Sequence, residues 1–177
     1  MRKASWVAEA EAFARPYCEA YRDDPALWRH VELVRAYALA LAKLEGVDAQ
    51  VVELAALLHD IGKSEGREGH HLRSHELAQR FLASTDLPKA TQALILECVL
   101  RHRSASAAEE ERLEVRVLQC ADVLGTLFDE EWQAYSRATM PPETLRGLHA
   151  KALGKITLES ARRLAEPQIA RLEALIS

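Results

Sequence analysis

Hydrophobic residues along this chain recur at spacings of three and four, which is the pattern of amphipathic helices. The clearest run contains Val31, Val34, Ala38 and Leu41, which would lie on one side of a single helix. The sequence shows no sustained alternation of apolar and polar residues of the kind that a half-buried strand requires. Alanine and leucine, both strong helix formers, dominate the sequence. The chain is therefore predicted to be an all-α, single-domain helical bundle.

Capping and helix-breaking residues divide this pattern into segments. Gly46 ends the periodic helix, and Asp48 is placed to cap the next one, which is apolar almost all round and should lie in the middle of the fold. The residues over 61–69 are predicted to form a polar loop. The first predicted helix covers 4–22 with a bend at Pro16, and the second runs from the Asp23-Asp24-Pro25 break to Gly46. Further helices are predicted over 49–60, 70–84 and 88–103, and from a capping box at 106–109 to about 129. Another segment starts at Pro141, and the last helix covers 157–176 with a bend or restart at Pro167.

The length of 177 residues suits one domain and allows a substantial core without disulfide bonds. Residues 1–24 are predicted to form an N-terminal helix that packs on this domain. Residues 25–130 would form its core, and 131–177 a C-terminal helical extension of the same domain. No internal repeat or long linker separates these parts.

Overall charge and cysteine content indicate which binding partners and which cellular compartment to expect. The 23 Lys and Arg residues and 27 Asp and Glu residues give a net charge of −4, which argues against binding of large nucleic acids by charge. Cys18, Cys98 and Cys120 are far apart and fit buried thiols in a reducing compartment. No apolar run approaches the ~18 residues of a membrane span, and the N-terminus lacks a signal-peptide core. We therefore expect a cytoplasmic protein without a membrane partner, and the sequence does not indicate its oligomeric state.

Histidine and aspartate residues on apolar helical faces are the chemically informative feature of the chain. An apolar helix ends at His59-Asp60, and ionisable groups there need a partner because an unpaired buried charge is costly. Other segments also direct such residues at the core from apolar stripes, namely His30, His70, His102 and Asp122. A metal ion is one partner that would satisfy them, and helical bundles build metal sites from facing side chains in this way.

The order and context of these residues resemble the HD superfamily of metal-dependent phosphohydrolases. His30, the His59-Asp60 doublet and Asp122 follow the order of the family. The doublet stands within Leu57-Leu58-His59-Asp60-Ile61-Gly62-Lys63, and Asp122 follows Val117-Leu118-Gln119-Cys120-Ala121. The tail over 155–166 is similar to the C-terminal helix of small stand-alone bacterial members. The resemblance therefore covers about 25–175.

The resemblance implies a set of metal ligands in this chain. The ligands of the first ion would be His30, His59, Asp60 and Asp122. In some relatives two further histidines bind a second ion and the aspartate of the doublet bridges the two ions. Here His70 and His102 resemble those histidines, and His71 and His75 stay open as alternatives to His70.

The same resemblance implies the chemistry. Imidazole and carboxylate ligands without thiolates suit Mn²⁺, Fe²⁺, Co²⁺, Ni²⁺, Zn²⁺ or Mg²⁺, with one or two ions per chain. A water on such an ion is acidified and supplies hydroxide near neutral pH. The predicted reaction is hydrolysis of a phosphate ester or anhydride of a small phosphorylated molecule, with a nucleotide as the expected substrate.

Catalytic and substrate-binding roles are predicted for a few further positions. Asp60 and Lys63 are the predicted catalytic residues, and Lys63 and Arg101 are the predicted substrate contacts. Other arginines that flank the site and could bind phosphate are Arg67, Arg73 and Arg103.

Two other functions stay open at this point. Close relatives often have an arginine after the last aspartate and an acid three residues beyond that aspartate, whereas this chain has Val123 and Gly125. These changes leave room for a non-catalytic sensor of metal or nucleotide on the same scaffold. A six-ligand set would also suit the oxidative di-iron chemistry of a few HD relatives.

A plainer structural role is the alternative for several of these residues. The candidate ligands could be hydrogen-bonded polar residues, and Lys63 could be a solvated loop lysine. His149 has no partner in the pattern and is interpreted as structural, as are the tryptophans. The Asp129-Glu130-Glu131 run is predicted to be a solvated helix end.

Overall fold

Helices account for the regular structure in the part of the chain that the computed structural model describes, residues 3–103 and 112–177. In chain order the elements are α1 (Lys3–Glu19), α2 (Leu27–Glu45), α3 (Ala49–Leu58), a short 3-10 helix (Ile61–Glu65), α4 (His70–Ala83), α5 (Lys89–Arg101), α6 (Leu113–Leu127), α7 (Glu130–Thr139), α8 (Pro142–Lys155) and α9 (Glu159–Leu175). The predicted all-α fold is confirmed.

The centre of the bundle is formed by α2, α3 and α6. As its composition predicts, α3 is almost wholly buried, and α2 packs against both α3 and α6. The contact between α2 and α6 is close at Gly125, where a Cβ atom would lie 2.7 Å from Val34 Cγ2. Glycine at this position therefore lets the two helices approach each other.

The predicted end signals around Gly46 and Asp48 are confirmed. Gly46 has a φ of 72° and donates its N–H to the carbonyl of Ala42, which ends α2. The Asp48 carboxylate accepts the N–H groups of Gln50 at 2.8 Å and Val51 at 3.4 Å, which caps α3. These two residues fix the turn between α2 and α3, and thereby the direction from which α3 enters the core.

Two predictions about individual segments are wrong in part. The first half of the predicted loop over 61–69 is the 3-10 helix Ile61–Glu65. The predicted solvated helix end at 129–131 is the start of α7, where Glu130 and Glu131 are exposed but Asp129 is buried and caps the helix. Arg29 on α2 pairs with Asp129 at 2.9 Å and also with Glu131. Both segments depend on contacts with distant parts of the chain.

Helix lengths also differ from the prediction at a few places. α1 ends at Glu19, and Pro16 lies inside it. α9 is one helix from Glu159 to Leu175 that contains Pro167, so the last helix does not restart there. The predicted capping box at 106–109 lies outside the described residues.

Buried single residues behave largely as the sequence suggests. The three cysteines are free and buried, and burial raises the pKa of Cys18 to about 12. Trp6 and Trp28 are buried packing residues, and His149 is buried within α8. In the described ranges, no helix has the length and apolar character needed to cross a membrane.

Candidate metal centre

Histidine and aspartate side chains from five segments of the chain come together in one place. They are His30 in the first turn of α2, His59 and Asp60 at the end of α3, His70 at the start of α4, His102 directly after α5, and Asp122 within α6. These are the six residues that the sequence singles out as ligands. They form two groups, each with its candidate ligand atoms within 4.8 Å of one another.

Three of the four imidazoles are oriented in the same way. His59, His70 and His102 each place Nδ1 2.7 Å from the carbonyl oxygen of the residue three positions earlier. Because a carbonyl only accepts hydrogen bonds, Nδ1 carries the proton, and Nε2 of the neutral ring presents its lone pair. Such contacts fix the tautomer and the direction of histidine ligands in metal sites.

The first triad consists of His30, His59 and Asp122. Asp122 Oδ1 lies 3.0 Å from His30 Nε2 and 3.8 Å from His59 Nε2. The His59 side chain is fully buried, whereas those of His30 and Asp122 are 14% and 28% exposed. Solvent therefore reaches this triad from the side of His30 and Asp122.

The second triad consists of Asp60, His70 and His102, all of them buried. Asp60 Oδ1 lies 3.0 Å from His70 Nε2 and 3.6 Å from His102 Nε2, and these two nitrogens are 3.2 Å apart. The other carboxylate oxygen, Asp60 Oδ2, lies 3.3 Å from His59 Nε2 and 3.6 Å from His30 Nε2. Asp60 therefore directs one oxygen at each triad, as a bridging carboxylate does.

The nitrogen and oxygen atoms of this centre need protons or metal ions between them. His59 Nε2 and Asp60 Oδ1 are buried and have no hydrogen-bond partner within the described residues. Lone pairs that converge in a buried place without a donor are costly, so protons or metal ions must lie between them. Imidazole and carboxylate donors without thiolates are the ligand types of divalent transition metals, and the residues present therefore fit such ions.

Both carboxylates are held in the ionised form. Burial raises the pKa of Asp60, but in the metal-free centre the positive charges of a protonated His59 and of Lys63 outweigh burial, and the pKa lies well below its usual value. Burial also raises the pKa of Asp122, and the hydrogen bond and charge of His30 reverse this effect and lower it. Ionised carboxylates are the form that binds metal.

Lys63, on the 3-10 helix, stands directly beside the bridging carboxylate. Its Nζ lies 2.5 Å from Asp60 Oδ2, and the side chain is 18% exposed. Burial lowers the pKa of Lys63, but the nearby charges of Asp60 and Asp122 raise it more, so the net shift is upward. The lysine is therefore protonated at neutral pH and positioned within the centre, not in a solvated loop.

Other candidate residues lie around the centre without joining it. Among the described residues, neither His71 nor His75 belongs to a group of possible metal ligands. Arg73 donates Nε to the carbonyl of Gly62 at 2.9 Å and another N–H to the carbonyl of Gly66, so the backbone already engages its guanidinium.

A recess of about 400 Å³ is lined by His71, Leu100, Arg101 and Arg103. Two of these residues flank His102 in sequence, and His71 follows His70. The recess is therefore formed by sequence neighbours of the second triad. The Arg101 guanidinium pairs with Glu97 at 3.8 Å.

Sequence reasoning missed the groups that support the ligands. Ser74 Oγ accepts the N–H of Gly62 at 2.9 Å, and nothing in the sequence pattern links these two residues. The contacts of His59 and His102 with the carbonyls of Ala56 and Val99 could have been predicted. Both histidines directly follow a helix, and the last carbonyls of a helix lack helical partners.

Comparison with known proteins identifies the family. Among solved structures, the chain is similar to a predicted HD superfamily hydrolase from an uncultured Thermotogales bacterium, with a TM-score of 0.73 and 24% identity, covering 96% of this chain and 88% of that one. It is also similar to Bacillus subtilis YpgQ, with a TM-score of 0.70 and 16% identity, covering 99% of this chain and 94% of that one. At these identities the two structures show that the fold is shared.

The sequence itself also carries the family pattern. No curated protein matches the chain. The sequence profile of the HD domain matches residues 27–127, which is more than half of the chain and contains all six candidate ligands. The chain therefore belongs to the HD domain family.

Proposed function

We propose that this protein is a metal-dependent hydrolase of phosphate esters or anhydrides in small molecules, with a nucleotide as the expected substrate. The observation that carries the proposal is Asp60, whose two oxygens face two separate groups of nitrogen donors at 3.0–3.6 Å. Such an arrangement suits two adjacent ions, and pairs of ions are used to bind both the attacking and the leaving oxygen of a phosphoryl group.

The two triads would divide the ligands between two ions. One ion would be held by His30, His59, Asp60 and Asp122, and the other by Asp60, His70 and His102. These side chains fill only part of a coordination sphere, which leaves positions for water and substrate. When bound, such an ion lowers the pKa of a coordinated water and neutralises charge on a phosphoryl group. Mn²⁺, Fe²⁺, Co²⁺, Ni²⁺, Zn²⁺ and Mg²⁺ all accept ligands of this kind.

Lys63 would bind the phosphoryl group of the substrate. Its raised pKa keeps Nζ protonated at neutral pH, and its contact with Asp60 fixes Nζ beside Oδ2, the oxygen that faces the first triad. A charged donor that is already in place when negative charge develops on the phosphoryl oxygens stabilises the transition state.

The exposure of the ligands supports a small substrate. Solvent reaches the centre at Asp122, His30 and Lys63, whose side chains are 28%, 14% and 18% exposed, whereas Asp60 is 1% exposed. These side chains are thus partly accessible to a small anion. The net charge of −4 disfavours a long nucleic acid but not a small anion, because bound metal ions would reverse the sign of the local field.

Arg101 would contact a more distant part of the substrate. It lines the recess formed by the sequence neighbours of His70 and His102, together with Arg103 and His71. Guanidinium groups bind phosphate oxygens through paired N–H donors, so this recess suits further anionic groups of a nucleotide.

Hydrolysis assays with metal-loaded protein test the proposal. Protein loaded with Mn²⁺, Co²⁺ or Ni²⁺ is expected to release phosphate from a nucleotide or from p-nitrophenyl phosphate. Asp60→Asn is expected to lower kcat/KM by roughly a thousand-fold, which corresponds to about 4 kcal/mol of transition-state stabilisation. Asp86→Asn is the matched control, because Asp86 binds the indole of Trp6 outside the centre. An Asp60→Asn protein that keeps its metal and its activity would refute the assignment.

A second candidate function rests on the same six ligands. Two bridged iron ions would suit the oxidative chemistry of a few HD relatives. Oxygen uptake by iron-loaded protein, with no phosphate released from any substrate tested, would favour that function. Tight nucleotide binding with neither reaction would favour a sensor.

A further inference from the structure

The 3-10 helix that follows Asp60 is in direct backbone contact with the first turns of α4. A Cβ atom on Gly62 would lie 2.3 Å from the carbonyl oxygen of His70 and 2.5 Å from the backbone nitrogen of Ser74. Real Cβ atoms do not come so close to backbone atoms, so only glycine allows this approach. The segment that carries Asp60 and the helix that begins with His70 are therefore docked on each other without an intervening side chain.

Two side chains of α4 hold this contact in place. Ser74 Oγ is fully buried and accepts the N–H of Gly62 at 2.9 Å. Arg73 donates Nε to the carbonyl of Gly62 at 2.9 Å and a second N–H to the carbonyl of Gly66. Both backbone polar groups of Gly62 are thus bound by α4. We call Gly62, Gly66, Arg73 and Ser74 the turn clamp.

The turn clamp affects the geometry of the second triad more than that of the first. The second triad needs Asp60 Oδ1 and His70 Nε2 to lie 3.0 Å apart, and these residues sit on the two sides of the clamp. The first triad draws on α2, α3 and α6, and none of its residues lies on α4. A shift of α4 against the 3-10 helix would therefore change the second triad and leave the first triad intact.

We propose that Arg73 and Ser74 are positioning residues for the second metal ion, which they serve by fixing His70 against Asp60. This inference rests on the two-ion arrangement of the proposed function. Groups that hold metal ligands in position typically contribute 10-fold to 100-fold to metal affinity. Loss of the clamp should therefore weaken the second ion selectively.

The inference is tested by titrating metal-free protein stepwise with Mn²⁺ or Co²⁺. Binding is monitored by calorimetry and, for Co²⁺, by absorbance. In Arg73→Lys, one ammonium replaces a guanidinium that reaches two carbonyls, and Ser74→Ala leaves the N–H of Gly62 without its acceptor. Each variant is expected to bind the second ion roughly 10-fold to 100-fold more weakly. Binding of the first ion should change by less than about twofold, since no first-triad residue lies on α4.

Matched controls lie in the last turn of the same helix and directly after it. Arg80→Lys changes an exposed arginine of α4, and Ser84→Ala removes a hydroxyl that bonds only locally, to the carbonyl of Phe81 at 2.7 Å. Both controls should bind two ions as the wild type does. Equal weakening of both ions, no weakening of either, or failure of both clamp variants to fold would overturn the inference and indicate a general structural role.

The outcome is separable from that of the proposed function. A wild-type protein that binds one ion and still hydrolyses phosphate esters would overturn the positioning role but leave the hydrolase assignment standing. Selective loss of the second ion in a protein that hydrolyses nothing would support the positioning role and refute the hydrolase.

Discussion

The proton on each imidazole decides what the centre can bind. His59, His70 and His102 donate Nδ1–H to carbonyls at 2.7 Å, so each ring offers its Nε2 lone pair to the interior. Asp60 directs two ionised oxygens into the same space. Placing so many acceptors together opposes folding, and a protein tolerates such local conflict at a functional site.

The catalytic role of Lys63 can be tested separately from metal binding. Lys63→Gln removes a cation from beside Asp60, so the protein should retain its metal ions. It should lose the charged donor for the phosphoryl group, and kcat is expected to fall by roughly 100-fold. Steady-state kinetics and metal content measure the two effects, with Lys89→Gln as the control, because Lys89 lies on α5 and is not one of the candidate ligands. Unchanged kcat in a metal-replete variant would remove Lys63 from the mechanism.

His149 should make the stability of the protein depend on pH. Burial lowers the pKa of His149 below 6.5, with Glu173 opposing the shift, and neither ring nitrogen has a hydrogen-bond partner within the described residues. The unfolded chain therefore takes up a proton near pH 6.5 that the folded chain does not, so stability is lost as the pH falls through that range. The comparison is between wild type and His149→Leu, which isolates the contribution of His149.

The measurement is urea unfolding at several pH values between 5 and 8. His149→Leu should lose less stability than wild type as the pH falls from 7 to 5, because the leucine cannot bind the proton. Parallel pH profiles for the two proteins would show that His149 is not the group responsible.

At the level of helices, predictions succeed where the signal is local. Asp48 and Gly46 mark the turn between α2 and α3 in the sequence, because capping depends on residues only two to four positions away. The start of α7 was missed, because Asp129 is buried through its contact with Arg29, 100 residues distant. The 3-10 helix was missed for the same reason, since Ser74 and Arg73 hold it from another helix.

The close approach of α2 and α6 gives a stability prediction. Gly125→Ala would place a Cβ 2.7 Å from Val34 Cγ2, and overpacking of this kind costs about 1–3 kcal/mol. Gly147 in α8 is the matched control, because a Cβ there meets no atom within 4 Å. Gly147→Ala should stabilise the protein by about 0.5–1 kcal/mol through helix propensity. Urea unfolding of both variants checks the signs, and a neutral Gly125→Ala would show that the interface relaxes easily.

The same contact explains one departure from close relatives. A glycine at 125, where they often carry an acid, is required by the packing of Val34 and so does not by itself point to lost catalysis. Val123 after the last aspartate is only partly buried, and nothing in the structure explains it.

For the molecule as a whole, the metal centre ties together segments that are far apart in sequence. Ligands span from His30 to Asp122, so bound ions would join α2, α3, α4, α5 and α6. Which residues meet in this centre was predictable, because their order resembles a known family. The same resemblance implied that Asp60 is shared, but which of its oxygens faces which triad was not predictable, because that depends on the relative placement of α2, α4 and α5 in three dimensions.

We propose that two ions share Asp60 in one centre, and the number of ions bound per chain measures this. The experiment compares wild type with His102→Ala. Each protein is loaded with Mn²⁺ and passed through a desalting column, and its metal content is measured by mass spectrometry. We expect about two ions per chain in wild type and about one in His102→Ala, since His102 belongs to the second triad alone. One ion per chain in both proteins, or two in both, would contradict this proposal.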